Sequence, residues 1–188
     1  MPLRISLGNM KFLAISGSLR AASLNSALLR AIARLSPDDI EVEFFTGLGE
    51  LPLFNPDLEA DDPTSVADLR RRIASADALL IASPEYAHGI TGVMKNALDW
   101  MVSCEAFVFK PVALLNASPR AVHAQAALRE VVTVMSAHIV DEACITVPLL
   151  GAHLDEEQIV AHPQIAASLR GVLASLREAA LAAPPNPQ

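Results

Sequence analysis

The stretch Lys11–Leu29, KFLAISGSLRAASLNSALL, decides how this chain is read. Phe12–Ser16 is a short apolar run with no polar face. It predicts a strand buried on both sides, as in the middle of a parallel sheet. Gly17 opens a loop of small hydroxyl residues with one arginine, Arg20. Apolar residues at 28, 29, 32 and 35 then give a helical period over Asn25–Leu35, with Asn25 read as its N-cap and Ser36-Pro37 as its stop. Backbone N–H groups and hydroxyls gathered at a helix N-terminus favour an anion.

The same strand–helix unit recurs along the chain. Ile40–Thr46 alternates like a half-exposed edge strand. Gly47–Pro63 is a long connection rich in Pro and acidic residues, of a length that marks a functional or interface segment. Thr64–Ala76 is an amphipathic helix whose Arg70-Arg71-Arg72 run reads as a solvated face. Asp77–Ala82, Pro111–Asn116 and part of His138–Val147 are the third to fifth strands. Thr91–Val102, Val122–Ser136 and Pro163–Leu181 are helices, and Asp155–Val160 is a helical turn. Residues 1–10 and 182–188 read as loose ends. This alternation predicts one α/β domain over 1–188: a doubly wound, five-stranded parallel sheet with helices on both faces. Such sheets bind ligands beyond the carboxyl ends of their strands. The loops Ser16–Leu24, Ser83–Ile90 and Ala117–Ala121 therefore carry the interest.

Composition narrows the function classes. A hydrophobic fraction of 52% in 188 residues excludes a disordered chain. No apolar run approaches the roughly 20 residues of a membrane span, and the N-terminus lacks a secretory pattern. No membrane partner and a cytoplasmic location are expected. A net charge of -7 argues against nucleic acid. Cys104 and Cys144 have no CxxC partner and read as buried or half-buried thiols. The five histidines show no i, i+4 pairing, so no metal site is expected.

The first loop is neither of two common phosphate loops. It has no Lys after Gly17 and no second Gly, so it is not a P-loop; the three glycines of a dinucleotide fingerprint are also missing. Ser16, Ser18, Ser23, Asn25, Ser26 and Arg20 instead offer dense donors suited to a phosphate monoester. A turn whose Ser and Asn residues only cap the helix fits the same residues equally well. The second loop, Ser83-Pro84-Glu85-Tyr86-Ala87-His88-Gly89, holds the only Tyr. It suits the edge of a flat ring, or an ordinary strand-to-helix connection.

Taken together, GSLRAASLN (17–25) and SPEYAHGITGVMKNALDW (83–100) resemble the NADPH-dependent FMN reductase family, a flavodoxin-like group that includes quinone, chromate and azo-dye reductases. The resemblance runs from Lys11 to about Arg177. It implies that Ser18, Arg20, Ser23, Leu24 and Asn25 hold the FMN phosphate, and that Pro84, Glu85, Tyr86, Ala87, His88 and Gly89 line the isoalloxazine. Three departures stand out. Ala87 replaces a usual Asn, Thr91 replaces a usual Pro, and Asn116-Ala117-Ser118-Pro119-Arg120 replaces a Gly-rich run. In that third loop Ser118 is the residue able to donate to the flavin. Trp100 reads as packing, and Lys95-Asn96 as ordering a loop or meeting a partner.

The activity so implied is an NAD(P)H oxidoreductase with noncovalent FMN. NADPH or NADH passes hydride to flavin N5, and a quinone, free flavin or similar acceptor then takes the same place, in ping-pong order. No catalytic side chain is required. A homodimer or homotetramer is implied, with Gly47–Pro56 bordering the partner. The alternatives are a flavodoxin-type electron carrier that does not oxidise NAD(P)H, and a regulatory module that has lost the flavin.

Overall fold

The computed structural model describes residues 9–149, 151 and 154–183. In chain order the strands are β1 (Met10–Ser16), β2 (Ile40–Phe45), β3 (Ala78–Ala82), β4 (Glu85–Tyr86), β5 (Gly89–Ile90), β6 (Pro111–Leu115) and β7 (His138–Ile139). Five of them form one sheet in the order β2-β1-β3-β6-β7, with every pairing parallel. β4 and β5 form a separate antiparallel hairpin.

The sheet is buried on both faces, and side-chain alternation splits the core in two. Phe12, Ala14, Leu80 and Leu115 face one layer, under α1 (Leu24–Leu35), α5 (Glu156–Ala161) and α6 (Pro163–Ala182). Leu13, Ile15, Leu79, Ile81 and Leu114 face the other, under α2 (Thr64–Ser75), α3 (Gly92–Met101) and α4 (Val122–Val134). Each large apolar side chain buried this way contributes about 1.5–3 kcal/mol. A one-residue slip of β3 would exchange its two faces, so packing against both layers fixes the register.

Several expectations are corrected. β1 begins at Met10, which pairs with Ile40 and donates its N–H to the Asp39 carbonyl at 2.9 Å. The fifth strand is only His138–Ile139. A 3-10 turn at Asp141–Ala143 interrupts it before a bridge pairs Asn116 with Thr146. The Leu114 N–H goes to Cys144 Sγ at 3.3 Å, so a thiol takes a ladder position. The N-cap of α1 is Ser23 rather than Asn25. Ser23 is extended, and its hydroxyl accepts the Ser26 N–H at 3.2 Å.

In the arginine run of α2, Arg71 is exposed and pairs only with Asp68 on its own helix, as a solvated face would, whereas Arg70 and Arg72 are half-buried and tied to other elements. Arg70 donates to the Trp100 carbonyl at 3.2 Å and to Ser103 Oγ at 3.1 Å, and pairs with Asp62. Arg72 pairs with Asp68 and Glu43. Hydrogen bonding from Arg72 holds the Asp68 carboxyl below its usual range. Acidic residues supplied by β2 and the Gly47–Pro63 connection give Arg70 and Arg72 partners that a single-helix reading misses.

That connection contains two 3-10 turns, Gly47–Glu50 and Pro56–Asp61. Between them, Asn96 and Trp100 of α3 hold the chain. The Pro52 carbonyl accepts from Trp100 Nε1 at 2.8 Å and from Asn96 Nδ2 at 2.9 Å. The Phe54 N–H donates to Asn96 Oδ1 at 2.7 Å, and the Phe54 ring meets Trp100 edge-on at 5.1 Å. Trp100 is fully buried packing, and Asn96 orders this connection rather than the 83–89 loop.

Candidate functional site

The loops after β1, β3 and β6 leave the carboxyl edge side by side. The chain reverses its direction of travel across the sheet between β1 and β3, so the site forms at the switch point. Gly17 brings the first two loops into contact. Its N–H donates to the Ala82 carbonyl at 2.8 Å, and a Cβ there would lie 2.4 Å from Ser83 Oγ. No larger residue fits. Thr91 closes the same joint from the other side. Its buried hydroxyl donates to the Gly17 carbonyl at 2.7 Å while accepting the Met94 N–H at 3.3 Å as the N-cap of α3. Proline could not make this link.

The first loop is built from short hydroxyl contacts. Ser16 Oγ and Ser26 Oγ are 2.8 Å apart, the Ser18 N–H reaches Ser16 Oγ at 3.4 Å, and the Arg20 N–H reaches Ser18 Oγ at 3.4 Å. Asn25 sits in the first turn of α1 with its amide buried, and its Oδ1 finds no partner among the described residues. A buried polar group left in this state costs about 1–3 kcal/mol unless something binds it. Arg20 is exposed and enters no ion pair among the described residues.

The second loop is the β4–β5 hairpin. Ala87 and His88 form its turn with φ of 49° and 61°, the left-handed pair that a tight hairpin needs. Asn tolerates this region far better than Ala, so the usual Asn at position 87 has a backbone reason as well as any side-chain one. The Glu85 carboxylate accepts the Ala124 N–H at 2.9 Å, capping α4, whose own N-cap residue is Ala121. His88 stacks on His123 with centroids 4.3 Å apart. The hairpin is thereby docked on the start of α4.

The third loop is a compact turn. Asn116 Oδ1 accepts the Ser118 N–H at 2.9 Å, Ser118 Oγ accepts the Arg120 N–H at 3.3 Å, and the Ser118 carbonyl accepts the Ala121 N–H at 3.1 Å. The three loops enclose an open cleft of about 350 Å³. Ser18, Arg20, Ser23, Leu24, Asn25, Pro84, Glu85, Tyr86 and Ser118 line it, as do Ala22, Asn116, Ala117, Arg120 and Ala121. Ala87, His88 and Gly89 do not line it: Ala87 and His88 form the exposed turn of the hairpin, and His88 stacks on His123 of α4. The third loop stood out from its place beyond a strand end. Only Ser118 was singled out there, because short-range reading ranks donors by type and does not show which of them point inward.

The cleft combines hydroxyls, an unsatisfied amide, a helix N-terminus and two guanidinium groups with the apolar surfaces of Pro84, Tyr86, Ala117 and Ala121. It suits a ligand with one anionic end and a flat body. No cluster of three metal-ligating side chains occurs among the described residues, and no helix among them is long and apolar enough to cross a membrane.

Comparison with known proteins agrees with this geometry. The family model for NADPH-dependent FMN reductases matches residues 10–149. An NAD(P)H-dependent FMN reductase of Pseudomonas aeruginosa is 42% identical over 113 residues, covering 58% of this chain and 60% of that protein. A 2-hydroxy-1,4-benzoquinone reductase of Burkholderia is 43% identical over 91 residues, covering 48% and 49%. The chain thus spans about half to three-fifths of the length of these curated relatives. Among solved structures, a flavoenzyme NAD(P)H:acceptor oxidoreductase from Paracoccus denitrificans superposes with a TM-score of 0.72 at 26% identity, covering 90% of this chain and 98% of that one. An archaeal flavodoxin shares the fold at a TM-score of 0.61 and 13% identity, covering 90% and 99%. With a family match across most of its length, on the strand order and loops described above, the chain belongs to the NADPH-dependent FMN reductase family.

Proposed function

We propose that this protein is an FMN-dependent NAD(P)H oxidoreductase that reduces a quinone, free flavin or similar small acceptor in ping-pong order. The observation that carries the reading is the set of donors at the start of α1, the hydroxyls of Ser18 and Ser23 and an Arg20 guanidinium that enters no ion pair among the described residues, in one cleft with the surfaces of Pro84 and Tyr86. The residues present fit FMN. The first turn of α1, Ser18, Ser23 and the guanidinium of Arg20 meet a phosphate dianion. Pro84, Tyr86 and Ala117 offer the apolar surface that a planar ring needs. Bound there, FMN supplies the hydride chemistry.

The chain's own residues position and shield. Thr91 and Gly17 hold the first two loops in register. Glu85 fixes the second loop on α4. The N-terminus of α3 follows directly on that loop, with its N-cap Thr91 bonded to the Gly17 carbonyl. The cleft is open to solvent, which suits two small substrates using one entrance in turn.

A homodimer or homotetramer is part of this reading. Leu53 is 83% exposed although both its neighbours are clamped to α3, so it forms a rigid apolar knob suited to a second copy. Sedimentation showing only monomer at micromolar concentration would remove that element. A cytoplasmic location is supported by two free cysteines.

Absorbance of the purified protein, before and after incubation with FMN, tests the core of the proposal. Expected is a yellow protein with bound flavin that NADPH or NADH bleaches within the stopped-flow time range. Failure to take up FMN overturns it. Uptake without bleaching leaves an electron carrier.

A further inference from the structure

Most arginines of this acidic chain are engaged with carboxylates. Arg30, Arg34, Arg70, Arg71, Arg72, Arg129 and Arg177 all sit in ion pairs. Arg20 and Arg120 enter none among the described residues, and both line the same cleft. A guanidinium in a cleft, outside any ion pair among the described residues, is placed for an anion that arrives from outside.

The two arginines are not equivalent. Arg20 lies in the β1 loop, next to the N-terminus of α1. Arg120 lies in the β6 loop, and β3 separates β6 from β1 in the sheet. Two strand spacings put the roots of these loops about 10 Å apart. The α1 end of the cleft already holds the elements that suit the flavin phosphate. Arg120 belongs to the opposite wall, on the exposed rim, and its backbone is held by the Ser118 turn. A Gly-rich loop at this place would carry no charge.

Resting on the oxidoreductase reading above, we infer that Arg120 is a specificity residue for the reduced nucleotide, and that it binds the 2′-phosphate of NADPH. NADPH and NADH differ only in that group, which is a dianion near neutral pH. An unpaired arginine at the rim of the nucleotide site is a recognised way to accommodate it. The reaction itself does not need Arg120, so it acts on binding and not on hydride transfer.

The test uses the flavin-loaded protein, wild type, Arg120→Ala and Arg120→Lys. Steady-state KM and kcat are measured with NADPH and NADH, and adenosine 2′,5′-bisphosphate binding is measured by calorimetry. Expected for Arg120→Ala is a KM for NADPH raised about 10- to 100-fold, the range of a charge-assisted contact. The KM for NADH and both kcat values should stay within about twofold, bisphosphate affinity should fall in parallel, and Arg120→Lys should recover part of the loss. Equal effects on both nucleotides, or none, overturn the assignment while leaving the reductase reading intact. Loss of bound FMN in Arg120→Ala overturns it in favour of a flavin contact. Wild-type flavin that neither nucleotide bleaches sinks the reductase reading and this inference with it.

Discussion

The two ends of the sheet treat their polar groups in opposite ways. At the amino end they are used up internally. The Lys11 N–H donates to the Asp77 carboxylate at 2.7 Å, and the Asp77 N–H returns to the Lys11 carbonyl at 2.7 Å. Lys110, 1% exposed, donates Nζ to the Ala76 carbonyl at 2.5 Å. The Phe109 N–H donates to the Ser136 carbonyl at 2.8 Å, with both residues in the left-handed region. At the carboxyl end, among the described residues, the Arg20 and Arg120 guanidinium groups of the cleft enter no ion pair and the buried Asn25 Oδ1 has no hydrogen-bond partner. Polar groups that satisfy one another stabilise a fold; groups left without partners at a cleft are available to a ligand. The same strands therefore end in a closed structural edge on one side and a binding edge on the other.

The largest expected effect tests the closed end. Burial lowers the Lys110 ammonium to about 8, against the opposing pull of Asp77. The native state then gives up its proton near pH 8 and the unfolded state near 10.5. Between these values the unfolded chain binds more protons, so wild-type stability gains from this group as pH rises. Relative to Lys110→Met, that gain should reach about 3 kcal/mol between pH 8 and 10.5. Urea unfolding of both proteins across this range reads it directly; identical slopes would show that the lysine is not a buried cation. Flavin content unchanged by this substitution would sharpen the separation of the two ends.

At the open end, Arg20→Ala should weaken FMN binding by about 1.5–3 kcal/mol with little change in unfolding free energy. Fluorescence titration of apoprotein with FMN measures it, and unchanged affinity means that Arg20 is not a phosphate ligand. Thr91 sits at the joint between loops, where the open end must itself be built. Thr91→Val strips the buried Gly17 carbonyl of its donor and should cost about 1–3 kcal/mol. That cost should appear in stability and FMN affinity together, and Thr91→Ser should restore most of it. A loss confined to stability would show that the first loop finds its shape without this tie.

The smallest effect concerns the hairpin turn. Ala87→Asn relieves a left-handed alanine and should raise the melting temperature by a few degrees, equivalent to about 1 kcal/mol. A decrease would mean that the turn is held by more than its backbone preference.

How much of this was legible in the chain varies by residue. Strands β1, β3 and β6 were readable because each is a short apolar run with no polar face, which only a sheet covered on both sides accommodates. The Ser/Arg/Asn loop and the Pro-Glu-Tyr loop were readable as motifs. Ser23 against Asn25 was not: both are good caps, and the choice depends on which backbone turns helical first. The roles of Arg70 and Arg72 were equally hidden, because Glu59, Asp62 and Glu43 lie on other elements.

The sequence by itself determined the alternation of strands and helices, the double burial of the sheet, and the two motifs that place the chain in its family. All three follow from local periodicity and residue type. Only the tertiary structure decided which polar groups are matched. Glu85 is committed to the N–H of Ala124, Asn96 and Trp100 to the carbonyl of Pro52, and Thr91 to that of Gly17. Among the described residues, Arg120 lines the cleft outside any ion pair and the buried Asn25 Oδ1 has no partner. Each of the matched pairs joins segments far apart along the chain, and hydrogen bonds form between groups that meet in space, whatever their distance in sequence.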